Sequence, residues 1–368
     1  MLLVGAGGLA SSAALFLAGA GVGRIGVVDF DDIELSNLQR QIIHLPRNVG
    51  TSKAESAVRA IHAYNAEVEA IAYKCHFTSA NAMEIVKPYD LVLDCTDNVT
   101  SRYLINDACV LSGKPLVSGS ALRMEGQVTV YHLHADTPCY RCMFKEPPPK
   151  AAQGSCSNEG VLGVVPGIIG CIQALEAIKI LSESGQPLAS RMILFDAMSS
   201  NFRTFKLRSR DKNCAICGDN PTIKALIDYE AFCGASANDK PTPLALINPE
   251  QHISTKDYAA LLNQPDHPHH LLLDVRPALQ FDICALPNAI NIPLAELDNR
   301  LEEVKAQLAA LNSGLTPEAT PIYTICRRGN DSQRALLKLQ ALGFANIKNV
   351  TGGVAAWAQQ VDPNFPTY

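Results

Sequence analysis

Apolar residues along the chain fall into short runs separated by stretches of helical spacing. MLLVGAGGLASSAALFLAGAGVGRIGVVDFD starts as an apolar strand, turns through glycines, and continues as an alanine-rich helix closed by Gly21 and Gly23. A second strand then ends at Asp29, which makes a strand–helix–strand unit. The runs VEAIAYKC, DLVLDCTD, KPLVSGSA and QVTVYHL predict further strands, and SKAESAVRAIHAYN and SRYLINDACVLSG predict helices between them. A helix GIIGCIQALEAIKILSES and a strand RMILFDA complete a first domain over residues 1–233. The expected fold is α/β with a mostly parallel sheet covered on both faces, because strands buried on both sides read as near-continuous apolar runs.

Residues 234–250, GASANDKPTPLALINPE, lose the apolar period, carry three prolines and predict a linker. Over 251–368 the alternation resumes: helix ISTKDYAALL, strand HLLLDV, helix LAELDNRLEEVKAQLAAL, strand PIYTI, helix DSQRALLKLQALG and strand NIKNV. A second, smaller α/β domain is expected there.

Composition narrows the function classes. At 368 residues and 47% hydrophobic the chain can bury more than one core. A net charge of −5 gives no basic footprint, so no direct nucleic-acid partner is expected. The uncharged run Met1 to Gly23 has the length of a membrane helix but contains six glycines and no basic flank, so no membrane partner is expected either. Twelve cysteines without a secretory signal point to a reducing compartment, the cytosol, where thiols act as ligands or nucleophiles.

Candidate chemistry begins at the first turn. Gly5, Gly7 and Gly8 allow backbone amides and a helix N-terminus to approach phosphate, and Asp29 is placed to accept from ribose hydroxyls. A nicotinamide-binding site fits this motif equally well. Arg40 and Lys53, downstream of Asp29, favour a triphosphate, and Asp97 at another strand end offers a carboxylate to Mg2+.

GAGGLA, VVDFDDIELSNLQRQ, LVLDCTDN, two CxxC motifs and GVLGVVPGIIGCIQALEAIK together resemble the ubiquitin-activating-enzyme-like adenylyltransferases, the family of MoeB and ThiF, over residues 1 to about 233. The resemblance implies a Rossmann-like adenylation domain, with Gly8, Asp29, Ser36, Asn37, Leu38, Gln39, Arg40, Lys53, Asp97 and Asn98 binding ATP. Relatives of this domain are homodimers, so a homodimer is expected. The family's glycine at the end of the turn is Ala10 here, a change that a helical first turn tolerates. The family also carries a helical segment before the first strand. A longer native N-terminus, or impaired adenylation, is therefore expected of this chain.

The cysteines separate by spacing. Cys139 and Cys142 form one CxxC, Cys214 and Cys217 another, and four thiolates at such spacings predict one structural Zn2+. Cys95, Cys109 and Cys171 lie in apolar segments and read as small core residues. Cys156, in the loop GSCSNEG after a PPPK run, has no CxxC partner and is a candidate reactive thiol; the resemblance implies that it accepts the acyl group or resolves an acyl disulfide. Cys326 in YTICRRGNDSQRA follows a strand and precedes a helix, a turn that aims amides and a helix dipole at the sulfur and stabilises a thiolate or persulfide.

LLLDVRP, with Asp274 and Arg276, and VTGGVAAW make the second domain resemble a rhodanese. Arg327 and Arg328 add positive charge beside the thiol. Asp331 at the far end of the loop disfavours a dianionic donor, so a protein persulfide such as that of a cysteine desulfurase is the expected sulfur source.

The expected function is ATP-dependent adenylation of the C-terminal glycine of a ubiquitin-like sulfur carrier, followed by persulfide transfer to form a thiocarboxylate. The resemblance implies two carriers, the ubiquitin-related modifier and the small subunit of molybdopterin synthase. They serve wobble-uridine thiolation of transfer RNA and molybdenum-cofactor synthesis. Joining both domains in one chain raises the effective concentration of the second nucleophile. The competing expectations are a nicotinamide-dependent oxidoreductase with a zinc site and a non-catalytic carrier-docking module.

Overall fold

The computed structural model describes residues 1–149, 160–235, 244–265, 267, 269–311, 316 and 320–367. The chain forms two compact units, Met1–Asp239 and Lys240–Tyr368.

The first unit opens with β1 (Leu2–Val4), α1 (Gly8–Gly19), β2 (Arg24–Val28), α2 (Lys53–Tyr64) and β3 (Glu69–Tyr73). It continues through α3 (Ala82–Val86), β4 (Val92–Asp94), α4 (Val99–Ser112), β5 (Leu116–Leu122), β6 (Glu125–Tyr131) and α5 (Tyr140–Met143). It closes with α6 (Val164–Leu181), β7 (Arg191–Asp196), β8 (Asn201–Lys206) and α7 (Tyr229–Cys233). The eight strands lie in the order β3-β2-β1-β4-β5-β6-β7-β8.

Strands β1 to β5 pair in parallel, as the apolar runs predict, whereas β5 to β8 pair antiparallel. The reason is local. Only Arg123 and Met124 separate β5 from β6, and so short a link makes a hairpin but cannot carry a crossover.

Strand pleating divides the core. Leu2 and Leu3 are neighbours with no exposed surface, yet they feed clusters on opposite faces of the sheet. Leu3 joins Leu9 and Leu17 of α1, Ile61 of α2 and Val165 and Ile169 of α6. Leu2 joins Ile85 of α3, Leu104 and Ala108 of α4 and Tyr229 of α7. Each such leucine stabilises the fold by about 2 kcal/mol. Among the described residues α6 is the one helix long and apolar enough to cross a membrane by composition, but one side of it, with Val165, Ile169, Ala174 and Ala177, packs into the core with α1.

The second unit contains β9 (His252–Ile253), α8 (Thr255–Leu262), β10 (Leu271–Asp274), α9 (Ala278–Ile283) and β11 (Ala289–Asn291). It ends with α10 (Leu301–Ala310), β12 (Ile322–Ile325), α11 (Asp331–Ala341), β13 (Ile347–Val350) and α12 (Gly353–Gln360). Its five strands are all parallel, in the order β11-β10-β12-β13-β9. Leu271 and Leu273 face α10 and α11, and Leu272 faces Tyr258 of α8 and Trp357 of α12.

Both ends of the predicted linker are tied down. Ala235 O accepts from Thr100 Oγ1 at 2.9 Å. Leu244 N–H and Leu246 N–H donate to Asn330 Oδ1 and Gln333 Oε1, each at 3.0 Å.

Candidate functional site

The glycine turn lies at the switch point of the first sheet, where β1 has β2 on one side and β4 on the other. Gly5 N–H donates to Val28 O at 2.8 Å. Gly5 has φ +95°, and a Cβ there would come within 2.8 Å of Cys95 O, so only glycine lets the turn lie against the end of β4.

The next amide, Ala6 N–H, donates to Asp29 Oδ2 at 2.8 Å, and Asp31 N–H donates to Asp29 Oδ1 at the same distance. Asp29 therefore braces the turn, and each of its oxygens keeps a further lone pair for a ribose hydroxyl. Burial pushes its carboxyl above the usual range, against the pull of Lys53 and the two amides.

Lys53, at the start of α2, is half of an ion pair: Nζ lies 2.8 Å from Asp31 Oδ2. Ser36 and Asn37 lie in a single 3-10 turn, Leu35–Asn37, and Leu38 to Arg40 follow it. Asn37 is buried and its Oδ1 accepts from Glu34 N–H at 3.2 Å, which holds the turn. Leu38 is half-buried and Gln39 exposed. Arg40 reaches back to Ser36 O at 3.3 Å, and its own carbonyl would lie 3.2 Å from a Cβ on Gly8. This segment thus runs beside the N-terminus of α1, where unpaired amides and the helix dipole favour an anion.

At the end of β4, Asp97 is exposed and Asn98 caps α4, its Oδ1 accepting from Ser101 N–H at 2.8 Å. The buried acid here is Asp94. It accepts from Thr96 N–H at 3.0 Å, Thr96 Oγ1 at 2.6 Å and Ser118 Oγ at 3.0 Å, and burial raises its pKa.

Beyond Asp94 lies a cavity of about 260 Å³ between α4 and the β5–β6 hairpin, lined by Arg102, Ser120, Gln127, Tyr131, Tyr140 and Met192 among others. The Arg102 Nε is buried without a hydrogen-bond partner, and its Nη2 reaches Thr96 O only at 3.4 Å. The cation has Asp94 as an ion-pair partner 4.0 Å away, but a buried N–H without an acceptor at the rim of a cavity suits an anionic ligand. Sequence reasoning missed Arg102, since its setting comes from a fold-back of the chain and no motif marks it.

The four CxxC cysteines come together. Their Sγ atoms all lie within 4.8 Å of one another, with Cys139–Cys142 at 3.8 Å, Cys139–Cys214 at 3.7 Å and Cys142–Cys217 at 3.4 Å. Four sulfurs placed tetrahedrally about 2.3 Å from one Zn2+ would be roughly 3.8 Å apart, so the donor set fits the ion. Without a metal the four sulfurs share protons: hydrogen bonding lowers the Cys214 and Cys142 thiols and raises those of Cys139 and Cys217.

The first CxxC is bolted to α4. Arg141 Nε and Nη2 donate to Asp107 at 2.8 Å each, Tyr229 OH adds a third donor to Asp107 at 2.8 Å, and Tyr140 N–H donates to Asn106 Oδ1 at 2.7 Å. The Arg141 guanidinium also lies over the rings of Tyr103 and Phe232.

Of the cysteines expected in the core, Cys95 and Cys109 are buried and burial raises both thiols, but Cys171 is only half-buried. It stands on α6, away from the closely packed side of that helix. Cys156 lies outside the described residues.

Cys326 follows β12 directly and is 3% exposed. Gly329 N–H and Ser332 Oγ point at its sulfur from 3.1 Å and 3.3 Å. Val354 N–H at the start of α12 donates to Cys326 O at 3.0 Å, so VTGGVAAW supports the loop from behind. Asp274 and Arg276 form a buried pair, and Arg276 Nη2 also donates to Cys284 O at 2.7 Å. With Arg276 Nη1 donating to Gln280 O at 3.2 Å, the pair ties the end of β10 to α9. Asp331 pairs with Arg334 at 2.8 Å, which offsets part of the negative charge expected at the loop's far end.

A switch-point glycine turn in one unit and a sulfur held by donors at a strand–helix turn in the other define a two-part α/β enzyme, one part of ThiF type and one of rhodanese type. The ThiF family model matches residues 1–216 and the rhodanese-like domain model residues 254–360. The chain is 48% identical to the adenylyltransferase and sulfurtransferase MOCS3 of Mus musculus, covering 100% of this chain and 82% of that protein. It is 47% identical to the Arabidopsis thaliana protein of the same name, covering 100% and 80%.

The chain belongs to this two-domain adenylyltransferase and sulfurtransferase family. The oxidoreductase and non-catalytic alternatives fall away with that membership. A likeness to E. coli MccB, with TM-score 0.53 and 21% identity over 59% of this chain and 65% of that one, shows the shared fold of the first unit.

Proposed function

We propose that the first unit binds MgATP at the glycine turn and uses it to activate the C-terminal glycine of a ubiquitin-like sulfur carrier. A carboxylate oxygen of the carrier attacks the α-phosphorus, and pyrophosphate leaves. Asp29 receives the ribose, the N-terminus of α1 with Arg40 and Lys53 receives the phosphates, and Asp97 is the residue that would hold Mg2+. The Arg102 cavity receives the carrier's carboxylate end: Arg102 reaches Thr96 O, and the same Cys95–Thr96 segment lies against Gly5 of the turn.

The outer sulfur of a persulfide on Cys326 then attacks the acyl carbon, AMP leaves, and an acyl disulfide joins carrier to enzyme. A thiol, for which the sequence offers Cys156, attacks the Cys326 sulfur and is oxidised to a disulfide as the carrier thiocarboxylate departs. One Zn2+ in the four-cysteine clamp is structural. The carriers are the ubiquitin-related modifier and the molybdopterin synthase small subunit, and the sulfur comes from a cysteine desulfurase or another persulfide donor. A second copy of the chain is the proposed cover for the exposed Phe16 of α1 and Leu175 of α6.

The observation that supports this reading best is Cys326, a buried sulfur with two donors aimed at it, in a chain whose other unit is a ThiF fold. The test incubates the chain with MgATP, a persulfide donor and each carrier, and weighs the carrier for replacement of one oxygen by sulfur. Carrier-dependent ATP–pyrophosphate exchange without that mass change would leave adenylation standing and refute sulfur transfer.

A further inference from the structure

His44 is buried beneath the glycine turn at 4% exposure. Its Nε2 lies 3.0 Å from Ala6 O, and its Nδ1 lies 3.1 Å from Ser56 Oγ on α2. A carbonyl only accepts, so the ring proton sits on Nε2 and Nδ1 is left to accept from the Ser56 hydroxyl. Asn48 Nδ2 donates into the same Ser56 oxygen at 3.3 Å, which leaves that hydroxyl's proton free to point at the ring. The relay therefore runs from Asn48 through Ser56 and His44 to Ala6. Burial holds the ring below the ordinary histidine range against the bond to Ala6, and the nearby charges of Lys53 and Arg59 lower it further.

Ala6 is consequently pinned on both sides, its N–H by Asp29 and its C=O by His44. Gly7 O accepts from Ser11 N–H and Ser11 Oγ, while Gly7 N–H has no partner among the described residues. In a planar trans peptide the C=O of Ala6 and the N–H of Gly7 point in opposite directions. Holding the carbonyl down onto His44 therefore turns the Gly7 amide the other way, and it cannot flip while that bond lasts.

We propose that His44 is a positioning residue for nucleotide: by donating from Nε2 to Ala6 O it locks the Ala6–Gly7 peptide with the Gly7 N–H presented to a phosphate. This rests on the nucleotide reading of the turn given above. No motif in the sequence announces it, because His44 and Ala6 are 38 residues apart and meet only in the fold.

The test compares His44→Leu, which removes the donor, with His44→Gln, whose amide can replace it. Binding of MgATP and of adenosine is titrated on the full chain. His44→Leu weakens MgATP by about tenfold, the effect of one oriented hydrogen bond, and leaves adenosine unchanged. His44→Gln recovers most of the loss. Equal losses for MgATP and adenosine, or no recovery in His44→Gln, would overturn the proposal by making His44 a general support of the fold. A wild-type chain that binds adenosine and MgATP equally would also overturn it, and one that binds neither would overturn the nucleotide reading itself.

Discussion

Arg102 Nε stands 4.0 Å from Asp94 Oδ2, one shell too far for a hydrogen bond. Asp94 feels its charge, which favours the ionised carboxylate against burial, but its hydrogen bonds come from Thr96 and Ser118. The cation is held near a buried acid and left with capacity to spare.

If that capacity serves the carrier's carboxylate, Arg102→Ala raises the KM for carrier in ATP–pyrophosphate exchange by roughly 10- to 100-fold, the worth of a hydrogen bond to a charged group. MgATP affinity stays at the wild-type value. Arg102→Lys keeps the charge and recovers part of the effect. A parallel loss of MgATP affinity would assign Arg102 to the nucleotide instead.

Cys326→Ser removes the sulfur that Gly329 and Ser332 hold. The variant is expected to adenylate carrier at the wild-type rate and to form no thiocarboxylate. Mass spectrometry of the carrier, read beside pyrophosphate exchange, separates the two steps; a full yield of thiocarboxylate would move the transfer to another thiol.

Arg141→Met breaks a buried ion pair and strands Asp107, at a cost of about 3–5 kcal/mol. Urea unfolding should show the loss directly. Because Arg141 lies between two of the clamp cysteines, metal content by atomic absorption is expected to fall as well. Cys214→Ser should lose the metal outright; unchanged zinc in that variant would contradict a four-cysteine site.

His44 also has a signature in pH. Its folded-state pKa is lowered below the ordinary value near 6.5, so as pH falls through that value the unfolded chain takes up a proton that the folded chain refuses. Stability is therefore complete above about pH 7 and declines on acidification, until the lowered folded pKa is reached. His132, also lowered by burial, adds a slope of the same sign. The informative quantity is the difference between wild type and His44→Gln: thermal melts from pH 7.5 down to about 5.5 should show a shallower decline in the variant.

Legibility in the sequence followed the range of the interactions. Most of the parallel strands were readable as apolar runs, but β9 and β11, two and three residues long and only half-buried, were not; the cysteine clamp was readable because its spacing is itself the signal. Strand β8 was not, since its residues are exposed throughout and Phe202 and Phe205 stand at an outer edge. The helix expected from Leu294 begins only at Leu301, because Pro293 to Asn299 close turns of their own. Lys53 read as a free cation, but Asp31, 22 residues earlier, reaches it in the fold. His44 and Arg102 stayed hidden for the same reason: their partners are set by tertiary closure, which leaves no periodic trace.

One helix serves two masters. Arg102 sits in the second turn of α4 and Asp107 five residues on, about 7.5 Å along the axis. A rigid rod of that length leaves little slack between the cysteine clamp, which Asp107 grips, and the cavity that Arg102 overlooks. If Arg102 holds the carrier's carboxylate, stripping a metal from the clamp with a chelator is expected to raise the KM for carrier before the unit unfolds.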